Sequence, residues 1–170
     1  MTAYIALLRA VNVGGRQLKM DELKRIATEL GYGSPRTFIA SGNLLFVSAR
    51  SEAAVKRELK RALTDHMGKP VEVMFRTAKE MTDVVAANPF AKEPGNRTVA
   101  IFFDRPPGQQ VIDSAKNVAD ERLALGTREI YGHYPSGQGR SKLKFAVKLP
   151  CTARNMNTVA KLAELARELK

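Results

Sequence analysis

The stretch RAVNVGGRQLKM, Arg9 to Met20, joins an apolar segment to a helical one. The segment before it, Tyr4 to Val11, is apolar on both faces, which is typical of a central strand. The apolar run stops at Asn12, Gly14 and Gly15. Two glycines just before a helix let the backbone approach an anion closely, because glycine has no Cβ and the first N–H groups of a helix are unpaired. The stretch therefore predicts a strand–loop–helix junction, which is either a candidate anion site or a tight turn that needs glycine for its geometry alone.

The residues around this junction predict alternating strands and helices for the first half of the chain. The predicted elements are a strand over Tyr4–Val11, a helix over Met20–Leu30, a short strand over Arg36–Ala40, a turn at Ser41–Asn43, a return strand over Leu44–Ser48, a helix capped by Ser51 that runs to Met67, and a strand over Val71–Arg76. This βαββαβ order is the ferredoxin-like unit.

A similar order of elements recurs after about ninety residues, without similarity of sequence. The predicted elements are a helix over Thr77–Ala87, a strand over Val99–Asp104, a helix over about Gln109–Val118, a hairpin of Arg122–Leu125 and Arg128–Tyr134, and a last helix capped by Asn155 or Asn157 that runs to about Leu169. Residues 141–152 remain ambiguous. The predicted fold class is α+β, with ferredoxin-like halves over 1–76 and 77–170 packed as one compact domain and a C-terminal helix.

The predicted topology brings two turns together. In a βαββαβ unit the first two strands run parallel, so they end at the same edge of the sheet. The loop from Asn12 to Gln17 and the turn Ser41–Asn43 should therefore lie at one end, beside the N-terminus of the first helix. This placement predicts that both turns can reach a single ligand.

Composition limits the class of protein. The chain has 170 residues, of which 44% are apolar and 26% are charged, as in ordinary globular proteins. No apolar segment approaches the roughly 18 residues needed to span a bilayer, and the N-terminus does not resemble a signal peptide. A single cysteine, Cys151, cannot form an internal disulfide and fits a reducing compartment. These features predict a cytoplasmic protein with no membrane association and leave its oligomeric state open.

The net charge is +11, from 28 basic and 17 acidic side chains, and the excess is largest after Pro135. Such a field attracts nucleic acid, nucleotides or other phosphorylated partners. It is equally consistent with a general solubility charge, because net charge governs association and not fold.

Several short motifs together resemble the DUF1697 family, a domain of unknown function, over essentially the whole chain. The motifs are RAVNVGG with Lys19 and Met20, Ser41-Gly42-Asn43, Asn88-Pro89-Phe90, Ser141-Lys142-Leu143, and TARNMNT from Thr152 to Thr158 with Lys161 and Leu162. Met156 stands where many members have Trp, and the stretch between Leu143 and Thr152 is shorter than usual. The resemblance implies a bacterial-type α+β protein of two related halves and implies no known activity.

Two further motifs each allow a functional and a structural interpretation. Arg9 shares the parity of the apolar residues in its strand, so its guanidinium would need a ligand or an ion pair to offset desolvation. Ser141-Lys142 and the segment from Thr152 to Asn155 could clamp a phosphate. Alternatively, Thr152 and Asn155 cap a helix and Arg154 covers a sheet edge.

Common catalytic classes find little support. His66 and His133 have no evident carboxylate partner, and two histidines with one cysteine form no zinc pattern. Cys151 is expected to be a small packed residue. The aromatic pattern of RNA-reading ferredoxin-like sheets is absent, and most of the strand phenylalanines are expected to lie in the core. These phenylalanines are Phe38, Phe46, Phe75, Phe102 and Phe103. No metal or cofactor is predicted.

The leading hypothesis is therefore a protein that binds a phosphate-bearing or other anionic ligand, a nucleotide or nucleic acid. The predicted ligand-binding residues are Arg9, Asn12, Gly14, Gly15, Lys19, Ser41, Asn43, Lys142, Thr152, Arg154 and Asn155. The alternatives are an enzyme that acts on a phosphorylated small molecule through Lys, Arg or Ser groups, and a structural or partner-binding module.

Overall fold

A computed structural model describes residues 1–9, 17–39 and 42–169. It is a mixed α+β structure with antiparallel sheets and a C-terminal helix. Its contacts divide the chain into two compact units, Met1–Met81 with Leu162–Lys170, and Thr82–Lys161. The end of the C-terminal helix thus groups with the first unit, whereas the sequence placed it in the half 77–170. No helix in the described part of the chain is long and apolar enough to cross a bilayer.

The first unit contains a four-stranded sheet and two complete helices. Its elements are β1 Thr2–Leu8, α1 Met20–Glu29, β2 Gly33–Thr37, β3 Asn43–Ser48, α2 Glu52–Met67 and β4 Val73–Thr77. The strand order is β2-β3-β1-β4, and neighbouring strands are antiparallel. Because β1 and β2 are each antiparallel to β3, they run parallel to each other. The predicted direction of the first two strands is therefore confirmed.

Local signals set the ends of these helices. The Ser51 hydroxyl accepts the Ala54 N–H at 3.2 Å, which caps α2, and Gly68 ends that helix with a φ of 71°. Gly31 follows α1 with a φ of 84°. Glycine adopts this left-handed conformation without a Cβ penalty, so both predicted helix ends are confirmed.

The core of the first unit lies between one face of the sheet and the apolar stripes of α1 and α2. Alternate residues of β1 contribute to it: Tyr4, Ala6 and Leu8. The opposite face of β1, at Ile5 and Leu7, is fully buried as well. Burial on both faces confirms the prediction of a central strand.

Two strand boundaries differ from prediction because pairing, and not apolar content, decides where a strand lies. β1 ends at Leu8, where its pairing with Val73 of β4 ends, so Arg9 lies beyond the strand, and the remainder of the predicted strand falls outside the described residues. β2 covers Gly33–Thr37 and not Arg36–Ala40. Its hairpin closes where the Phe38 N–H donates to the Asn43 carbonyl at 3.1 Å.

The rest of the chain adds three helices, a second four-stranded sheet and a small ribbon. Its elements are α3 Ala78–Ala86, β5 Thr98–Phe103, α4 Gln109–Asp113, β6 Ala115–Lys116, β7 Arg122–Leu125, β8 Glu129–His133, β9 Lys144–Phe145, β10 Cys151–Asn155 and α5 Met156–Glu168. The sheet order is β10-β5-β8-β7, and β6 pairs with β9 in a separate ribbon. The predicted hairpin of β7 and β8 is confirmed.

The second unit also corrects the sequence interpretation. α4 ends at Asp113 instead of continuing to Val118, because the chain turns at Ser114 and enters β6. β9 lies in the ambiguous stretch, and β10 begins at its end and continues through Asn155. Neither strand was predicted, since strands of two to five residues with polar side chains carry too little pattern to be recognised. The Asn155 side-chain oxygen accepts the Thr158 N–H at 2.9 Å. Asn155, one of the two predicted capping residues, therefore caps α5.

Candidate functional site

The predicted glycine junction cannot be compared with the structure directly. Its central residues Asn12, Gly14 and Gly15, and Ser41 of the second turn, lie outside the described residues. Arg9 and Lys19, which flank the junction, are both exposed. The expectation that Arg9 is desolvated within an apolar strand is wrong, because β1 ends before it.

The second predicted turn does lie beside the end of β1. The Leu8 N–H donates to the Gly42 carbonyl at 2.9 Å. Next to it, Asn43 is fully buried, and its side-chain amide donates to the Phe38 carbonyl at 2.9 Å. Asn43 thus closes the β2–β3 hairpin, which is a structural contact for a residue that the sequence assigned to ligand binding.

The predicted clamp before the last helix is also largely occupied by its own contacts. Arg154 lies on β10, is buried, and donates to the Thr152 hydroxyl at 2.7 Å and to the Ala153 carbonyl at 2.9 Å. Burial lowers the pKa of the Arg154 guanidinium to about 10. Thr152 is buried, and Asn155 caps the helix. These contacts favour the structural interpretation of the segment.

A different feature of the second unit brings polar and charged side chains together around open space. It is a cleft of about 600 Å³ between the chain just before β7 and the loop that follows β8. The cleft is lined by Asn117, Ala119, Asp120, Glu121, Ser136, Gly137, Arg140, Ser141 and Lys142. Lys142 is the predicted site residue that it contains.

Hydrogen bonds join the two walls of this cleft. The Ser136 hydroxyl donates to Asp120 Oδ2 at 2.6 Å, and the Ser141 hydroxyl donates to Glu121 Oε1 at 2.8 Å. The other Glu121 oxygen accepts the Ala119 N–H at 2.8 Å. Since each serine pairs with one carboxylate of the opposite wall, the loop 136–142 is anchored at both of its ends.

Some charged side chains of the cleft are hydrogen-bonded within the protein, and others are not. Hydrogen bonds from the Ala119 and Glu121 N–H groups and from the Ser141 hydroxyl lower the pKa of the Glu121 carboxyl, so this group is an anchored carboxylate. Arg140 and Lys142 are exposed, and neither side chain has a hydrogen bond or ion pair to the part of the chain that the structure describes. Their cationic groups are available to an anionic ligand.

The Glu121 anchor makes the stability of the protein pH-dependent in one direction. A carboxyl whose pKa is lowered by folding stabilises the protein above its ordinary pKa of 4.5, and this contribution is lost as the pH falls through the folded pKa. Glu121→Gln should therefore be less stable than the wild type at pH 7, with the difference shrinking toward pH 3. Urea unfolding at several pH values measures this change.

The control for this prediction is Asp65→Asn, which removes an exposed carboxylate from α2. It should leave the pH dependence of stability close to that of the wild type. An unchanged pH profile in Glu121→Gln would show that the carboxylate does not anchor the loop.

A smaller cleft of about 330 Å³ in the first unit has most of its charged side chains paired within the protein, Asp65 excepted. It is lined in part by Arg25, Glu29 and His66. Arg25 and Glu29 form an ion pair at 2.7 Å, and His66 Nε2 lies 3.1 Å from Glu22 Oε2. This pairing makes it the weaker candidate for a ligand site.

The expectation that the histidines lack carboxylate partners is wrong. Besides the His66–Glu22 contact, buried His133 places Nε2 at 3.4 Å from Glu93 Oε2 and Nδ1 at 3.1 Å from the Thr98 hydroxyl. The partners are distant in sequence, so no local spacing could reveal them. Both histidines thus contact other side chains of the fold, which is consistent with a structural role.

Two other expectations about packing are confirmed. Cys151 is half-buried and packs against the core of the second unit. Four of the five strand phenylalanines are buried, namely Phe46, Phe75, Phe102 and Phe103.

Sequence reasoning missed most of the cleft. Of the residues that line it, the sequence motifs include only Ser141 and Lys142, and nothing in them connects Asp120 and Glu121 with the loop before Ser141. The sequence does contain a signal for the cleft. Ser136 and Ser141 stand on either side of Arg140, and a pair of acidic residues, Asp120 and Glu121, precedes them in the chain. That signal becomes specific only when the hairpin β7–β8 brings the two segments together.

Comparisons with known proteins give a family and a fold but no activity. A family model described as "Protein of unknown function (DUF1697)" matches residues 1–131. The solved structure of conserved bacterial protein SP0830 from Streptococcus pneumoniae is similar, with a TM-score of 0.82 and 26% sequence identity over 99% of each chain. The search of curated proteins found no match.

Proposed function

Because the chain belongs to the DUF1697 family, whose description names no activity, we propose a function from the cleft itself: it binds a phosphate-bearing anionic ligand. The observation that carries this proposal is the pair of unengaged cations, Arg140 and Lys142, in the wall of a cleft large enough for a nucleotide. The net charge of +11 adds long-range attraction for such a ligand.

The cleft offers two kinds of contact to a nucleotide or a similar phosphorylated compound. A guanidinium and an ammonium group can pair with phosphate oxygens. Asp120, whose Oδ2 is held by Ser136, keeps a second oxygen that can accept a hydroxyl or amine of the same ligand. The anchored loop holds these groups in place before the ligand arrives, which lowers the entropic cost of binding.

The test is calorimetric titration of the protein with ATP, AMP and pyrophosphate at low salt. Hydrogen bonds to charged groups are each worth about 1.5–3 kcal/mol. Arg140→Ala with Lys142→Ala removes two such contacts and should therefore weaken binding at least about a hundredfold. The matched control removes two exposed cations from the helices of the first unit, Arg61→Ala with Lys24→Ala, and should bind like the wild type.

Two results would contradict the proposal. One is failure of all three probes to bind. The other is equal weakening in the cleft variant and in the control, which would indicate a general charge effect and no site.

The enzyme alternative draws no support from the cleft. The Ser141 hydroxyl donates to Glu121 and accepts the Leu143 N–H at 3.2 Å, so it is engaged in anchoring the loop. Lys142 is exposed, whereas a lysine nucleophile is normally activated by a dry environment.

We also propose that both units are variants of the ferredoxin-like fold. The order β2-β3-β1-β4 recurs as β7-β8-β5-β10, with α4 in the position of α1. The second unit lacks a long helix between β8 and β10 within its described residues and has the β6–β9 ribbon instead. We propose as well that the protein is cytoplasmic, as its composition predicts, and of bacterial type, as its family resemblance implies.

A further inference from the structure

Two lysines face each other on the small ribbon next to the cleft. The register pairs Lys116 of β6 with Lys144 of β9. Residues directly opposite on antiparallel strands have Cβ atoms about 4.5–5.5 Å apart, and like charges at such positions are destabilising. Both lysines are exposed, and neither has a partner within the described part of the chain. An anion between them would remove the repulsion.

The neighbouring residues extend this pair into the cleft. Lys142 and Lys144 are exposed, whereas Leu143 and Phe145 are half-buried, and Phe145 packs against the core of the second unit. This alternation of exposure places Lys142 and Lys144, two residues apart, on the exposed side of the segment that leads into β9. Because Lys142 lines the cleft, the ammonium groups form a row that begins there and continues onto the ribbon.

The carboxylates of the cleft, Asp120 and Glu121, lie on its opposite wall and accept hydrogen bonds from Ser136 and Ser141, whereas the segment that carries Lys142 and Lys144 has none. Residues 130–163 contain no Asp or Glu and six basic residues. A mononucleotide held by Arg140 and Lys142 would leave Lys116 and Lys144 without a counter-charge. The row therefore favours a ligand with several successive negative charges.

The shape of the surface discriminates between the two kinds of polyanion that could neutralise these lysines, a lipid bilayer and a nucleic acid. A bilayer is flat and cannot enter a cleft of about 600 Å³. A single strand of nucleic acid can place one nucleotide in the cleft and lay its adjoining phosphates over the ribbon. Exposed apolar side chains beside the lysines, Val118 and Val147, can contact the bases.

We propose that the protein binds single-stranded nucleic acid, with one nucleotide in the cleft and the adjoining backbone phosphates on Lys142, Lys144 and Lys116. This inference rests on the proposed function, because the cleft cations are shared. It adds the class of ligand and a second contact surface. Contacts of this kind are salt-sensitive and largely independent of base sequence.

The test is fluorescence anisotropy of labelled dT20 and U20 with the full chain over a range of salt concentrations. Each phosphate contact on a single strand contributes about 0.7 to the slope of log affinity against log salt. Lys116→Ala with Lys144→Ala should lower that slope by about 1.4 and weaken binding about tenfold at low salt. The same variant should bind ATP like the wild type.

The matched control, Lys24→Ala with Lys92→Ala, removes two exposed lysines elsewhere and should keep the wild-type affinity and slope. If ATP binds but the ribbon variant binds both oligonucleotides like the wild type, the inference is wrong and the proposed function stands. If neither ATP nor the oligonucleotides bind, the proposed function itself is wrong. Binding to phosphatidylserine vesicles without binding to oligonucleotides would overturn the inference in favour of a lipid surface.

Discussion

Phe46→Ala should lower the free energy of unfolding by about 3–5 kcal/mol, a large part of the total for a domain of this size. Phe46 is fully buried on β3. Its ring stacks on Tyr32 with centroids 4.1 Å apart and meets Phe75 edge-on at 6.2 Å. Alanine would remove these aromatic contacts and leave a cavity in the centre of the first core.

Urea unfolding followed by circular dichroism measures this loss. The control is Leu125→Ala, because Leu125 is 43% exposed at the end of β7 and its truncation creates no cavity. It should change stability by no more than about 0.5 kcal/mol. Equal stability of Phe46→Ala and the wild type would show that the aromatic cluster is not the centre of the core.

Arg154→Ala should lower the free energy of unfolding by about 1.5–3 kcal/mol in the absence of any ligand. The buried guanidinium donates to the Thr152 hydroxyl and the Ala153 carbonyl, and its removal leaves a void beside a buried hydroxyl. Arg154→Met fills the void without a buried charge, so it should lose less stability than the alanine variant.

The same two variants decide between the interpretations of Arg154. If its role is structural, ATP affinity measured below the unfolding transition should equal that of the wild type in both. Wild-type stability combined with lost ATP binding in Arg154→Ala would instead support the ligand role predicted from the sequence.

Features with local causes could be predicted well. The caps at Ser51 and Asn155 and the glycine after α2 depend on residues within four positions of one another. The central strand β1 was recognisable because both of its faces are apolar. Strand boundaries were less predictable, since β1 ends where its partner ends and β2 lies where β3 pairs with it.

The candidate site shows the limit of sequence reasoning more clearly. Residue types alone suggested Arg154 as a ligand group, but burial and two hydrogen bonds engage its guanidinium within β10. Lys142 was identified from its motif. Its neighbours in space, Asp120 and Glu121, could not be, because they are joined to its loop only by hydrogen bonds across the fold.

The amino-acid sequence by itself determined the order of the main helices and strands, the basic charge of the chain and its family, since each follows from short-range pattern or composition. Only the tertiary structure decided which polar groups are engaged and which remain available. Asn43 and Arg154 satisfy carbonyls and a hydroxyl of their own fold. Arg140 and Lys142 face open space, because hydrogen-bond pairing depends on distances that the chain acquires only on folding.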